Sequence, residues 1–213
     1  MLNDGSIFVD LLDSNNTIQD KMYSALVELI NKKIIKNKDK TITSFKQRIR
    51  RWVMDQPEID SLLNAGLHSL HAQFGLRRGS ESTIVDDIIS AIVNSFTVHI
   101  GKINNKFKGK IEFNFQPQHF FNLLSLPGGH VITMKGSDLH WLDWLLTHGD
   151  TTIIVGYEYE AVSSGRSGGG VMNAGGVWRV PPEFSGTDTN NFVTRAFKFR
   201  EKEISQVLQG LFV

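Results

Sequence analysis

The spacing of the apolar residues changes near Phe96, and this change constrains the fold more than any other feature. Before Phe96, apolar residues recur every three to four positions, as one face of an α-helix requires. After it, apolar and polar residues alternate, which predicts strands. Helices that precede strands are typical of an α+β fold. The 213 residues therefore predict a single α+β domain, mainly helical over 1–95, with a small mixed or antiparallel sheet and packed helices over 96–213.

The first part of the chain predicts several separate helices. Apolar spacing from Ile18 to Ile34 indicates the first helix, with Thr17 at its cap and lysines at its end. Thr43 or Ser44 is expected to cap a second helix that Pro57 closes. Further helices are expected over 58–63, 67–74 and 84–94.

The second part predicts a mixture of short elements. We expect a hairpin around a polar turn, a short helical or irregular run, a brief strand, an apolar helix, a clear strand, a glycine-rich loop and a long C-terminal helix. In the same order, these predictions cover 98–115, 119–124, 131–133, 139–146, 152–159, 163–176 and 188–208.

Composition excludes several classes of protein. The absence of cysteine excludes disulfides, thiolate metal sites and cysteine nucleophiles. A formal net charge of +1 argues against a dedicated nucleic-acid binder, which usually carries a basic surplus. No stretch reaches the ~18 apolar residues that a membrane span needs, and the start lacks the features of a secretory signal. We therefore expect a chain without membrane contact.

The motifs that usually carry catalysis are missing. The glycine-rich segment lacks the Lys-Ser/Thr pair of a phosphate loop, and Asn173 occupies the third position of a dinucleotide pattern. The chain has no Gly-x-Ser-x-Gly and no His-Glu-x-x-His string. A catalytic triad whose members lie far apart in the chain stays open, so a hydrolase is kept as a third hypothesis after the two given below. We predict no enzyme, cofactor or metal site.

The histidines raise the question of a metal. Isolated histidines are more often surface or hydrogen-bonded core residues, and the nearby Asp138 and Asp143 serve equally well as residues at a helix start. The histidines considered are at positions 68, 71, 119, 130, 140 and 148.

Two segments differ from the balanced average composition of the chain, one in its basic residues and one in its apolar residues. Segment 31–51 holds nine Lys or Arg against Asp39 alone, which suits a solvated helix face or, alternatively, a phosphate backbone. Helix 139–146 carries Trp141, Trp144 and Leu145 among other apolar residues, so more than one of its faces is apolar. Such a helix is either deeply buried or packed against another subunit.

Four strings follow one another in the last third of the chain. They are LHWLDWLLTHGD from Leu139, GRSG from Gly165, WRVPPEFSGT from Trp178 and NNFVTRA from Asn190. This block, 139–197, resembles the carboxyl-terminal block of virion proteins from the neck and tail-completion region of tailed bacteriophages. In those proteins a Trp- and Leu-rich helix, a strand, an RSG loop, a WRVPPE turn and a final helix start occur in this order.

The resemblance implies a structural role. A tail-completion or tail-terminator subunit forms a ring, usually a hexamer, that caps the tail tube and joins it to the head connector. The implied partners are further copies of the chain, the tail tube protein and connector or neck proteins, with DNA passing through. The implied location is the virion, after assembly in the host cytoplasm. A neck adaptor or stopper is the alternative within this class, and a nucleic-acid-associated factor that uses segment 31–51 is the alternative outside it.

The expected interface follows from the resemblance and from the apolar helix. Arg179 and Arg195 could each hold a carboxylate of a neighbouring segment, or form surface ion pairs of little value. The residues expected at a subunit interface are Trp141, Trp144, Leu145, Arg166, Trp178, Arg179, Glu183 and Arg195. The turn of the first hairpin is basic, and the candidates to face DNA are Lys102, Lys106, Lys108 and Lys110.

Overall fold

A computed structural model describes residues 12–64, 66–114, 120–133 and 136–212. The predicted α+β class is confirmed. The helices that it describes are α1 Asn15–Met54, α2 Pro57–Leu63, α3 Leu70–Gln73, α4 Glu81–Ser95, α5 Phe120–Leu124, α6 Trp141–Leu146, α7 Phe192–Ala196 and α8 Glu201–Gln209. No helix within these described residues is both long and apolar enough to cross a membrane.

Helix α1 is one continuous element of 40 residues where the sequence predicted two helices. The polar stretch between the two predictions contains neither glycine nor proline, so nothing stops helix propagation there. Thr43, expected as a cap, lies inside the helix, and its hydroxyl donates to the Asp39 carbonyl at 2.9 Å. The N-cap is Ser14, whose hydroxyl accepts from the Thr17 amide. At 1.5 Å per residue, α1 is about 60 Å long.

The next helices follow the predictions closely. Pro57 opens α2 at its first turn, where the missing N–H has no partner to lose, and α1 has already ended at Met54. Helix α3 is shorter than the predicted segment 67–74, because Ser69 caps it by accepting from the Ala72 amide. The helix predicted over 84–94 is α4, and its buried face includes Val85, Ile88 and Ile92.

The strands described form three separate two-stranded antiparallel pairs, so the antiparallel alternative holds and no mixed sheet occurs among the described residues. Their bounds are β1 Thr97–Ile100 with β2 Ile111–Asn114, β3 Val131–Ile132 with β4 Asp138–Leu139, and β5 Thr152–Glu160 with β6 Val171–Arg179. The prediction of a first hairpin is confirmed over these residues. Phe115 and His119, which belonged to two predicted segments, lie outside the described residues.

The prediction of a structureless glycine-rich loop over 163–176 is wrong for its second half. Strand β6 begins at Val171 and pairs with β5 through a bulge near Gly175 and Gly176, both at positive φ. Because glycine has no side chain, the alternation of apolar and polar residues that predicts a strand is absent from this part of the sequence. The turn that remains between β5 and β6 is stabilised by Tyr159. Its hydroxyl donates to the Gly169 carbonyl at 2.8 Å and also contacts the Leu67 carbonyl.

The predicted long C-terminal helix is also wrong, because two short helices, α7 and α8, replace it. Phe199 lies between them at φ +61°, a left-handed conformation that interrupts the helical course before α8 begins. Asn191 caps α7 in a capping box with Thr194, three residues after the predicted start of the helix at position 188. The Asn191 side chain also donates to the Leu146 carbonyl at 3.1 Å, which fixes α7 against α6.

The core lies where α1, α2, α4, α6 and α7 meet. Trp52 of α1, Trp141 of α6 and Phe192 of α7 are among its largest fully buried side chains. Phe74 contacts the Trp141 ring at 5.0 Å between centroids and the Trp178 ring at 5.8 Å. The core therefore joins the helical first part to the motif block 139–197 in one hydrophobic cluster.

Candidate assembly surface

The first half of α1 carries an apolar stripe that no described residue covers. Met22, Leu26 and Leu29 lie at helical spacing on one face and are 65%, 45% and 57% exposed. We call these three residues the α1 stripe. The sequence placed them on a helix with Ile34, yet only Ile34 of these four is buried. Contiguous exposed apolar residues on an amphipathic helix make this face a candidate surface for contact with another protein.

The opposite face of the same helical segment contacts the body of the chain. Val27 and Ile34 are buried there. The Asn31 side-chain amide donates to the Ile103 carbonyl at 2.9 Å, and the Ile103 amide donates back to Asn31 Oδ1 at 2.8 Å. These bonds attach the β1–β2 loop to α1. Since the inward face already has partners, the α1 stripe is a second apolar face and does not belong to the core.

The β5–β6 pair carries a second exposed apolar surface. Val155 and Val177 lie directly opposite each other in the register, so both side chains point to the same face. They are 76% and 56% exposed. We call them the valine pair. Glu158 and Glu160 are exposed further along β5. This surface could not be predicted from the sequence, because an isolated valine in a strand gives no sign of which face is covered.

Three of the aromatic and apolar residues expected at a subunit interface are core residues instead. Trp141 and Leu145 have no exposed surface and Trp178 is 4% exposed, so none of them can contact a neighbour in this conformation. The apolar residues of α6 pack against α5, α7 and the turn at Pro127–Gly129. Trp144 is half-buried against His148, with ring centroids 5.1 Å apart.

The arginines expected at the interface have partners within the chain. Arg166 Nε donates to the Gly75 carbonyl at 2.6 Å and its Nη1 to the Ile132 carbonyl at 3.1 Å. Arg179 forms an ion pair with Asp150 at 3.0 Å. Arg195 forms an ion pair with Glu58. Each arginine thus joins segments of one chain, while Glu183 lies exposed in the turn before α7.

The four lysines expected to face DNA are exposed on or beside the β1–β2 loop. The loop is not a free arm, because Asn31 fixes its Ile103 and Tyr23 contacts Phe107 edge-to-face at 5.7 Å. Lys110 forms an ion pair with Glu112, and this hydrogen bond holds the pKa of Glu112 below its usual range. The positions at which the loop presents lysine are 102, 106, 108 and 110.

The basic segment 31–51 is partly neutralised by carboxylates. Lys32 pairs with Glu28 at 2.7 Å, Arg48 with Glu203 at 3.3 Å, and Arg50 with Asp86. A groove between α1 and α8 exposes further basic side chains, including Lys40 and Arg51. The described residues near this groove include no stacked aromatic side chain of the kind that single-stranded nucleic acids use.

The histidines considered in the sequence lie in four different environments, apart from one outside the described residues. His71 is buried, and its Nε2 lies 3.2 Å from the Arg77 carbonyl. His148 pairs with Asp143 at 3.1 Å. His130 and His140 lie together with Asp138, although the sequence analysis predicted no metal site. His68 is exposed, and His119 lies outside the described residues.

Comparison with known proteins adds no assignment. No family model, no curated protein and no solved structure matches this chain. The main candidates for a functional surface are therefore the α1 stripe and the valine pair.

Proposed function

We propose that this chain is a structural subunit at the head–tail joint of a tailed bacteriophage, where it completes or terminates the tail as a ring that joins the tail tube to the head connector. The observation that carries the proposal is the α1 stripe, an apolar face that none of the described residues covers, on a helix about 60 Å long. The resemblance of block 139–197 supplies the virion setting.

The ring contact that we propose joins two different surfaces. The α1 stripe of one copy packs against the valine pair of the next copy. Both are apolar, and they lie on different elements, so the contact is heterologous and closes into a ring when the rotation allows. Charge supports the same pairing, because Lys36 follows the stripe on α1 and Glu158 follows Val155 on β5.

Mass measurement by size exclusion with light scattering tests this contact. The full chain is expected to form a closed oligomer, alone or when tail tube protein is added. Leu29→Glu and Val177→Glu each place a charge in the proposed contact and should each give a monomer. Ile35→Glu is the matched control, since Ile35 is also an apolar α1 residue and is 59% exposed, but lies on another face.

Mixing the two disruptive variants sharpens the test. Each variant keeps one intact surface, so the mixture should yield a heterodimer and no ring. A wild-type chain that stays monomeric with tube protein present, or an oligomer that Leu29→Glu leaves intact, would contradict the proposed contact.

Electron microscopy of particles assembled without this chain separates the two structural roles. Tails of uncontrolled length indicate a tail terminator, and this is the outcome we expect. Separate, complete heads and tails indicate a neck adaptor or stopper. Normal infectious particles would contradict both roles.

A further inference from the structure

The β3–β4 pair brings three side chains with metal-binding atoms to one face. Val131 lies opposite Leu139 and Ile132 opposite Asp138. The same register places His130 opposite His140 at the open end of the pair. Asp138 is two residues before His140, and positions two apart on a strand share a face. The register therefore places the three side chains together.

The distances between the three side chains are close to those of a coordination site. His130 Nδ1 lies 2.7 Å from Asp138 Oδ1, and His140 Nε2 lies 3.3 Å from Asp138 Oδ2. The two imidazole rings stack with centroids 5.2 Å apart. All three ligand atoms fall within 4.8 Å of one another. Ligands bound to one tetrahedral Zn²⁺ at about 2.0–2.2 Å have similar separations.

The backbone holds these positions independently of any ion. The turn between the strands is closed by the Thr133 amide, which donates to the Ser137 carbonyl at 2.8 Å. Arg166 holds β3 through the Ile132 carbonyl. His140 immediately precedes α6, whose first residue, Trp141, is fully buried. A site formed on such anchored elements loses little freedom when an ion binds.

We propose that His130, Asp138 and His140 bind one divalent first-row transition metal ion of the Zn²⁺ class. Two imidazoles and one carboxylate suit Zn²⁺, Ni²⁺ or Cu²⁺ and are a poor set for Mg²⁺ or Ca²⁺, which prefer oxygen ligands. The ion takes the place of the hydrogen bond between His130 Nδ1 and Asp138 Oδ1. It connects β3, β4 and the start of α6, and one coordination position stays open to water. The proposal does not depend on the proposed ring.

Calorimetric titration of Zn²⁺ into the full, tag-free chain, stripped beforehand with EDTA, tests the proposal. We expect saturable binding of one ion per chain and a melting temperature that rises with Zn²⁺ and not with Mg²⁺. Co²⁺ is the spectroscopic probe, because tetrahedral coordination gives it strong visible absorption. Asp138→Asn and His140→Gln should each weaken binding by about tenfold or more, as expected when one of three ligands is removed.

His148→Gln is the matched control, because His148 also pairs with a carboxylate but has no third ligand among the described residues. Its binding should equal that of the wild type. The side chains of His130, Asp138 and His140 are 34%, 41% and 53% exposed, so these variants keep the core, and melting in EDTA verifies this. The proposal is overturned if the wild type shows no saturable binding, or if His140→Gln and His148→Gln bind Zn²⁺ alike.

Discussion

Arg195 of α7 pairs with Glu58 of α2, and the carboxylate of Glu58 has no exposed surface. The two residues are 137 positions apart, so the pair links the helical first part of the chain to its last third. Burial raises the pKa of Glu58, and the Arg195 charge opposes this effect. The second Glu58 oxygen, Oε2, has no partner among the described residues, which makes the carboxylate dependent on Arg195.

Removal of Arg195 should therefore destabilise the fold in a pH-dependent way. Arg195→Ala leaves a buried carboxylate without its cation, and we expect a loss of about 3 kcal/mol at neutral pH. Because the pKa of folded Glu58 rises further, the folded state takes up a proton more readily than the unfolded state. The loss should then shrink as the pH falls towards about 5, which urea unfolding at several pH values measures.

The exposed pair of Arg179 and Asp150 is the matched control for Arg195. Its side chains are 51% and 41% exposed. Arg179→Ala should cost less than about 1 kcal/mol and show no comparable dependence on pH. Equal losses for the two arginine variants would contradict a special role for the buried pair.

Glu203 should stabilise the attachment of α8 at neutral pH and lose this effect in acid. Its carboxylate accepts from Trp52 Nε1 at 2.8 Å, from Arg200 at 2.8 Å and from Arg48 at 3.3 Å. The bond from Trp52, followed by the two arginines, holds its pKa below the usual 4.5. The stabilisation is thus present above pH 4.5 and is lost as the pH falls through the lowered pKa.

The corresponding variant is Glu203→Gln, which we expect to lose about 1 kcal/mol at neutral pH. The difference from the wild type should vanish in acid, where the wild-type carboxylate is protonated as well. Urea unfolding from neutral pH to about pH 3 provides the measurement. Glu201→Gln, an exposed position in the first turn of α8, should unfold like the wild type throughout.

Two glycines at the same positive φ should respond differently to alanine. Gly165 and Gly156 are both at φ +83°. A Cβ at Gly165 would overlap the Gly170 carbonyl oxygen, whereas a Cβ at Gly156 meets nothing within 4 Å. Gly156→Ala should cost about 1 kcal/mol for the backbone conformation alone. Gly165→Ala should cost about 2 kcal/mol more, and thermal unfolding that ranks them in the reverse order would contradict the turn described.

Asn31 should control the local order of the β1–β2 loop. Asn31→Ala removes both hydrogen bonds to Ile103. Amide hydrogen exchange in the loop, at Ile103 above all, should accelerate while the core amides of α4 keep their protection. Asn37→Ala, which removes only a bond to the Leu211 carbonyl, is the control and should leave Ile103 unchanged. Unchanged exchange at Ile103 in Asn31→Ala would show that other contacts hold the loop.

Periodicity predicted the parts of the fold in which local pattern and tertiary burial agree. Helix α4 and the β1–β2 hairpin belong to this group. Strand β6 was not predicted, because its glycines supply no alternating side chains and its pairing with β5 depends on a bulge. The break between α7 and α8 at Phe199 was not predicted, because a left-handed phenylalanine has no sequence signal comparable to that of glycine or proline.

The candidate surfaces were also predictable only where the local pattern of residues was sufficient. The spacing of Met22, Leu26 and Leu29 was visible in the sequence, but a spacing cannot tell an apolar face that is covered from one that is exposed. Trp141 and Leu145 show the opposite case, because they were expected at a subunit interface and are completely buried in the core. The grouping of His130 with His140 depends on the register between β3 and β4, which the sequence alone leaves undetermined.

The unbroken course of α1 has a mechanical consequence. Leu26 in its exposed half and Trp52 in its buried half are connected by helix alone, about 40 Å apart along the axis. A neighbour that restrains Leu26 would also reduce the tilting freedom of the segment that carries Trp52. Assembly would thus stiffen the interior of each subunit from outside, without changing any contact within it.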